Sequence, residues 1–175
     1  MAEYYRLGEL GVLGEDDRVE LINGQIVQMT PIGTAHSGCV GALTDLLGRA
    51  VGKRALVWVQ NPLRVGDRAE PQPDLVVLRR QPGGYRKAHP RPGDTLLVIE
   101  VADTSLEYDR DVKIPLYARA GVPEAWLVDL QGDCIEVYRE PGAGGYAEVR
   151  IARRGEALQP LLLDPVLLKV EDILG

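Results

Sequence analysis

Apolar residues in this chain gather in short runs, separated by polar links rich in glycine and proline. Asp74-Leu-Val-Val-Leu78 and Thr95-Leu-Leu-Val-Ile-Glu-Val101 are short, continuous and β-branched, which predicts strands. In Leu96–Ile99 both alternating faces are apolar, so that strand is expected to be covered on both sides. Val19–Met29 places two β-rich runs around Asn23-Gly24, a pair suited to a type I′ hairpin turn. Thr34 is expected to cap a helix running to Val51, with Val40, Leu43, Leu46, Leu47 and Ala50 at helical spacing. Further strands are expected at Leu56–Gln60, Ala125–Asp129, Cys134–Arg139, Tyr146–Ala152 and Leu161–Leu163. A second helix is expected over 109–120, stopped by Gly121, with Pro115 either kinking it or marking its first turn. Residues 3–10 read as a short helix or irregular arm, and 166–174 as a closing helix or turn. The order hairpin, helix, strands, helix, strands predicts a mixed α/β domain with a largely antiparallel sheet.

A chain of 175 residues is long enough to bury a real core, and a single domain over 1–175 is expected. The net charge of −6 argues against broad nucleic-acid binding through a basic face, and leaves a local basic groove open. Residues 79–94 form a basic loop rich in proline and glycine. A solvated connection is the simpler reading of it, and a nucleic-acid contact the alternative. Cys39 and Cys134 lack CxxC spacing, and two buried free thiols in a cytoplasmic protein are expected. No apolar run reaches the roughly 20 residues of a membrane span. The N-terminus shows no basic segment followed by an apolar one, so neither a secretory signal nor a membrane partner is expected.

Two carboxylates sit where a core would not want them. Asp74 opens one apolar run and Glu100 closes another. Burying a carboxylate is costly unless a cation or donors compensate it. If those strands are antiparallel neighbours, Asp74 and Glu100 converge at one end of the sheet, with Lys113 thirteen residues after Glu100. Such a set suits a hard divalent cation, Mg²⁺ or Mn²⁺, and phosphate chemistry. Asp74 and Glu100 are expected as direct ligands, with the Val101 carbonyl as a third. Lys113 is expected to orient the attacking water or neutralise developing charge. Glu20 would add a ligand, through water, and Gln60 would line the site. Plain structural roles stand beside these: a strand-entry residue for Asp74, an arginine partner for Glu100, a solvated helix face for Lys113. His36 and His89 read as surface or capping residues, and Asp103, Asp109 and Asp111 as helix-start charges. Tyr117 shares a helical face with Lys113. Zinc-ligand spacing, phosphate-binding loops and serine-hydrolase elbows are absent.

Several ordered blocks together resemble a known family. They are Val19-Glu-Leu-Ile-Asn-Gly-Gln-Ile-Val-Gln-Met-Thr-Pro31 followed by His36, then Pro73-Asp74, then Val98-Ile-Glu-Val101. Asp109…Lys113…Tyr117-Ala118 and Gly121-Val-Pro-Glu-Ala-Trp-Leu-Val-Asp129 complete the set. The pattern, covering most of 15–130, is similar to a family of bacterial restriction-endonuclease-like proteins in the PD-(D/E)XK nuclease superfamily. The resemblance implies a restriction-endonuclease-like core, a central mixed sheet flanked by helices, with added antiparallel C-terminal strands. It also implies Mg²⁺-dependent cleavage of nucleic acid, DNA above all. Asp74 matches the motif aspartate, Glu100 the motif glutamate, and Glu20 the acidic residue of the N-terminal part. Ala102 stands where the motif has lysine, and Lys113 on the following helix resembles a relocated lysine. Three readings remain open: an endonuclease using Glu20, Asp74, Glu100 and Lys113, a catalytically inactive nuclease-fold binding or assembly module, and a hydrolase of small phosphoesters. An edge strand or the C-terminal apolar segment is available for homodimerisation.

Overall fold

The computed structural model describes residues 1–14 and 16–175. After a first helix, Ala2–Glu9 (α1), strands Val19–Ile22 (β1) and Gln25–Gln28 (β2) pair as an antiparallel hairpin. Asn23 and Gly24 both have positive φ, 52° and 84°, as a type I′ turn requires.

The main sheet contains Ala55–Val59 (β3), Leu75–Arg79 (β4), Thr95–Ala102 (β5), Glu124–Asp129 (β6), Cys134–Gly142 (β7) and Gly145–Arg153 (β8), in that spatial order. All neighbours are antiparallel except β5 and β6. A parallel pair needs a long crossover, and here it is helical. Leu106–Tyr108 (α3) leads into a π-helical turn, Asp109–Lys113, and then into Ile114–Ala120 (α4). Gly121 ends this run in the left-handed conformation. Every residue of β5 and β6 is buried, as apolar residues on both faces of a strand imply.

One face of the sheet is covered by Thr34–Val51 (α2) and the short Val170–Leu174 (α5). Leu43, Leu47 and Val51 of α2 share a core with Leu97, Ile99, Trp126 and Ile135. Leu43 and Leu47 are fully buried, each worth about 1.5–3 kcal/mol relative to exposure. On the other face, Ile114 and Tyr117 of the crossover meet Val76, Leu78, Val98 and Leu127. The fold is therefore a mixed α/β architecture, a six-stranded mixed sheet flanked by helices with small antiparallel additions. Among the described residues, no helix is long and apolar enough to cross a membrane.

Three expectations need correction. Gly33, not Thr34, is the N-cap of α2, and no side chain caps it. Leu161–Leu163 is no strand, because Pro160 and Pro165 flank it and lack the N–H a ladder needs. The chain turns there instead, with Leu163 donating to the Pro160 carbonyl and Val166 to the Leu163 carbonyl. The small strands Ala157–Leu158 (β9) and Leu168–Lys169 (β10) pair on either side of that turn. The second helix starts earlier than 109 and carries the π turn just before Pro115, a residue that cannot donate the i→i−4 bond of a regular helix.

Candidate active site

The antiparallel register of β4 and β5 pairs Leu75 with Ile99. Asp74, one residue before β4, therefore lies beside Glu100 and Val101 on β5. Oδ2 of Asp74 accepts the Val101 N–H at 2.9 Å, and Oε2 of Glu100 accepts the Asp74 N–H at 3.4 Å. Gln60 leaves β3 with a φ of 47° and donates from Nε2 to Oδ1 of Asp74 at 3.2 Å. His36, in the first turn of α2, places Nε2 3.0 Å from Oδ2 of Asp74. That hydrogen bond, opposed by burial, holds the imidazole above its ordinary pKa. Among the described residues, His36 Nδ1 is buried without a hydrogen-bond partner.

Behind this pair lies an enclosed ammonium. Lys113 is 6% exposed, and its Nζ sits 3.4 Å from Glu20 Oε1, 3.5 Å from Glu100 Oε1 and 3.8 Å from Asp109 Oδ1. Tyr117 donates its hydroxyl to the same Glu100 oxygen at 2.5 Å. A buried ion is tolerated only when partners compensate its lost hydration. Burial pulls the Lys113 pKa down, but Glu100, Glu20, Asp109 and Asp74 outweigh it and hold the amine above its ordinary value. Lys113 is thus a fixed cation at neutral pH. Glu100 is pushed well above the usual carboxylate range by burial first. Lys113 and Tyr117 oppose the shift, and Asp109 and Asp74 add to it. Asp109 is also raised by burial, against Lys113 and the Ser105 hydroxyl.

The π turn explains the convergence. It buries both Asp109 and Lys113 on the sheet side of one helical run. Single π turns inside helices are frequent at functional sites.

A cavity of about 440 Å³ opens over this constellation, lined by Glu20, Gln60, Asp74, Glu100, Asp109 and Lys113, with Val101, His36 and Arg18 at its walls. A larger groove of about 720 Å³ runs along α2, but its charged residues, Asp45 and Arg49, are paired with each other. The buried ionisable side chains Glu20, Asp74, Glu100, Asp109 and Lys113 are therefore gathered in the acidic cavity. Among the described residues, no three His, Cys, Asp or Glu side chains gather as a metal-holding set. Asp74 and Glu100 are instead two adjacent hard oxygen donors. Such a pair fits Mg²⁺, which binds through one or two carboxylates and keeps much of its water, and does not fit an all-protein zinc or calcium cage.

Every residue singled out for the site, Glu20, Gln60, Asp74, Glu100, Val101 and Lys113, lines this one cavity. The solvated-face alternative for Lys113 fails, and Glu100 meets a lysine and a tyrosine rather than an arginine. Asp109 is not merely a helix-start charge, and His36 is neither a surface nor a capping residue. His89 lies elsewhere, in the basic loop. The i, i+4 spacing of Asp109 and Lys113 was the available signal for Asp109. The position of His36 depends on how α2 crosses the sheet.

A family model, Uma2, described as "Putative restriction endonuclease", matches residues 1–170. A crystal structure from Anabaena variabilis, described as "a putative nuclease belonging to DUF820", superposes with a TM-score of 0.75. It is 19% identical and the match covers 95% of each chain, a likeness that concerns the fold. The type IIG restriction endonuclease BpuSI is matched at a TM-score of 0.40 and 18% identity, over 64% of this chain and 13% of that one. No curated protein matches the chain.

Proposed function

This chain belongs to the Uma2 family, and from that premise we propose that it is a divalent-metal-dependent nuclease hydrolysing phosphodiester bonds of DNA. The observation that carries the reading is the juxtaposition of Asp74 and Glu100 at one sheet end, above a buried Lys113. Asp74 and Glu100, with the Val101 carbonyl, would hold Mg²⁺ or Mn²⁺. A bound ion of this kind supplies an activated water and charge neutralisation at the phosphate.

The protein's own groups have distinct tasks. Gln60, His36 and the Val101 N–H fix the Asp74 carboxylate in place. Lys113 and Tyr117 fix Glu100. Glu20 holds Lys113 with one oxygen and accepts the Gln72 N–H with the other, at 3.1 Å, which makes it a positioning residue. Lys113 supplies a permanent positive potential under the reacting phosphate, a preorganised electrostatic contribution. Its closed shell of carboxylates makes it a poor proton carrier.

One observation favours a second reading. Ala102 occupies the position after Val101, and the Lys113 ammonium is engaged by three carboxylates. A nuclease fold retired to a binding module would also look like this.

The test is calorimetric titration of the wild type with Mg²⁺ and Mn²⁺ beside Glu100→Gln and Asp74→Asn, with circular dichroism on each and a plasmid-cleavage assay. Metal binding and cleavage by the wild type, both lost in the folded variants, are expected. A folded wild type that binds neither ion and cuts no DNA in either would favour the binding module.

A further inference from the structure

The basic loop after β4 is more than a solvated link. Tyr85 anchors it: its ring meets the Trp58 ring edge-on at 5.9 Å between centroids, and its hydroxyl donates to the Arg79 carbonyl at 2.7 Å. The Arg64 N–H donates to the Pro90 carbonyl at 2.9 Å and ties the loop to the segment after β3. Between them lies a second cleft of about 370 Å³, lined by Tyr5, Arg64, Tyr85, Arg86, Lys87 and Arg91, with His89 beside them.

The cleft gathers four cations on one concave surface, most of them without a carboxylate partner among the described residues. Arg6, Arg49, Arg110, Arg139, Arg150 and Arg154 each pair with a carboxylate. Among the described residues, Arg86, Lys87 and Arg91 have no such partner, and Arg64 has only the exposed Asp67 at 3.5 Å. Cations gathered on a concave surface repel one another, and a polyanion relieves that repulsion. The two tyrosines add a second requirement. Tyr5 donates its hydroxyl to Glu70 at 2.5 Å, as Tyr85 does to Arg79, so both rings are tethered where they border the cleft. Fixed aromatic rings among cations are the pattern that holds single-stranded nucleic acid, with phosphates on the charges and unstacked bases on the rings. A duplex keeps its bases stacked and does not present them to a concavity.

The position of the cleft suits the same purpose. Glu70, which receives the Tyr5 hydroxyl, donates its N–H to the Leu21 carbonyl at 2.7 Å, and the neighbouring Glu20 lines the acidic cavity. A chain of contacts through Tyr5, Glu70 and β1 thus links the two clefts. We propose that the cleft formed by Arg64, Arg86, Lys87, Arg91, Tyr5 and Tyr85 is a subsite for single-stranded nucleic acid beside the cleavage site. The choice of nucleic acid as ligand rests on the nuclease reading; the site itself rests on its own residues.

The experiment is fluorescence anisotropy of labelled oligothymidylate, in EDTA so that nothing is cut, with the wild type and the triple variant Arg86→Ala/Lys87→Ala/Arg91→Ala. These side chains are exposed or lie at the loop surface, and circular dichroism verifies the fold. We expect at least about tenfold weaker binding and a salt dependence flattened by about two in log–log slope, since each lost single-strand phosphate contact removes about 0.7. A duplex of matching length is expected to lose less. Unchanged affinity and slope in the folded triple variant would overturn the subsite, as would a loss for duplex equal to that for the single strand. Glu100→Gln separates the two claims, because it should bind oligothymidylate like the wild type while failing to cut. Cleavage by the wild type with binding unaltered in the triple variant defeats the subsite alone. Binding lost in the triple variant, from a wild type that cuts nothing with Mg²⁺ or Mn²⁺, supports the subsite and defeats the nuclease reading.

Discussion

The Tyr117 hydroxyl donates to Oε1 of Glu100 at 2.5 Å, beneath the floor of the acidic cavity. Burial pushes Glu100 well above the usual carboxylate range, and this hydrogen bond is one of two contacts that oppose the shift, Lys113 being the larger. Tyr117→Phe removes the donor and leaves the fully buried ring in its packing. The expected cost at neutral pH is about 1–3 kcal/mol, that of a buried acceptor left short of a partner. The sign with pH follows from the raised pKa. Without the donor, Glu100 in the folded state takes up a proton more readily still, so the variant regains stability relative to the wild type as pH falls. Urea unfolding at neutral pH and at about pH 5 measures this; a gap that does not narrow would show that Glu100 is not the group affected.

Lys113→Met isolates the central cation. It leaves Glu20, Glu100 and Asp109 without the ammonium they surround. Breaking a buried ion pair by removing one partner costs about 3–5 kcal/mol. Glu100 and Asp109 already have raised pKa values in the folded state, and loss of Lys113 raises them further. Stability tied to a raised carboxylate pKa is present at low pH and lost as pH rises through that value. The variant is therefore expected to be weakest at neutral pH and to recover part of its deficit under mild acid. A deficit equal at both pH values would mean that packing of the lysine stem, not its charge, is what matters.

Much of this constellation is legible in the sequence. The β4 and β5 runs were legible because a continuous β-branched stretch has few alternatives, and their antiparallel pairing alone brings Asp74 to Glu100. Asn23-Gly24 announced its turn because few other residue pairs accept two positive φ values. The burial of Lys113 was not legible, since a lysine four residues after an aspartate suits an exposed helix face equally well. The π turn, set by Pro115 and the sheet beneath it, decided the matter. The contact of His36 with Asp74 spans 38 residues and depends on the placement of α2, which no local pattern encodes. Leu161–Leu163 is apolar enough for a strand, but the flanking Pro160 and Pro165 lack the N–H a ladder needs, and the chain turns there instead.

Cys39 reports on the same region from the α2 side. Burial first, and the charge of Asp74 second, push its thiol up to about 11. The thiol donates to the Ile173 carbonyl at 3.4 Å. Thiolate is the reactive form, so Cys39 in the native protein is expected to resist Ellman's reagent at about pH 8 and to react promptly in urea. Asp74→Asn should lower the thiol's pKa, because it removes the nearby negative charge. A native reaction as fast as that in urea would mean that the region between α2 and α5 opens readily.

Two glycines should respond to alanine with opposite signs. Gly24 has a φ of 84°, and a Cβ there would approach Arg68 Nη2 to 2.6 Å and Nε to 2.8 Å. The guanidinium is the end of a flexible side chain and can move, but Arg68 Nη2 also donates to the Asn23 carbonyl at 3.3 Å, and the Gly24 N–H donates to the Arg68 carbonyl. Gly24→Ala therefore meets a left-handed backbone penalty of about 1–2 kcal/mol and disturbs the contact that braces the hairpin. Gly41 lies inside α2, where a Cβ would meet nothing within 4 Å. Gly41→Ala is expected to stabilise by about 0.5–1 kcal/mol, through helix propensity and a less flexible unfolded chain. Urea midpoints of the two variants test the pair. Because β1 carries Glu20 to within 3.4 Å of Lys113, Gly24→Ala should also weaken Mg²⁺ binding in calorimetry, and Gly41→Ala should leave it unchanged. Equal metal affinities in all three proteins would show that the hairpin turn and the acidic cavity are not coupled.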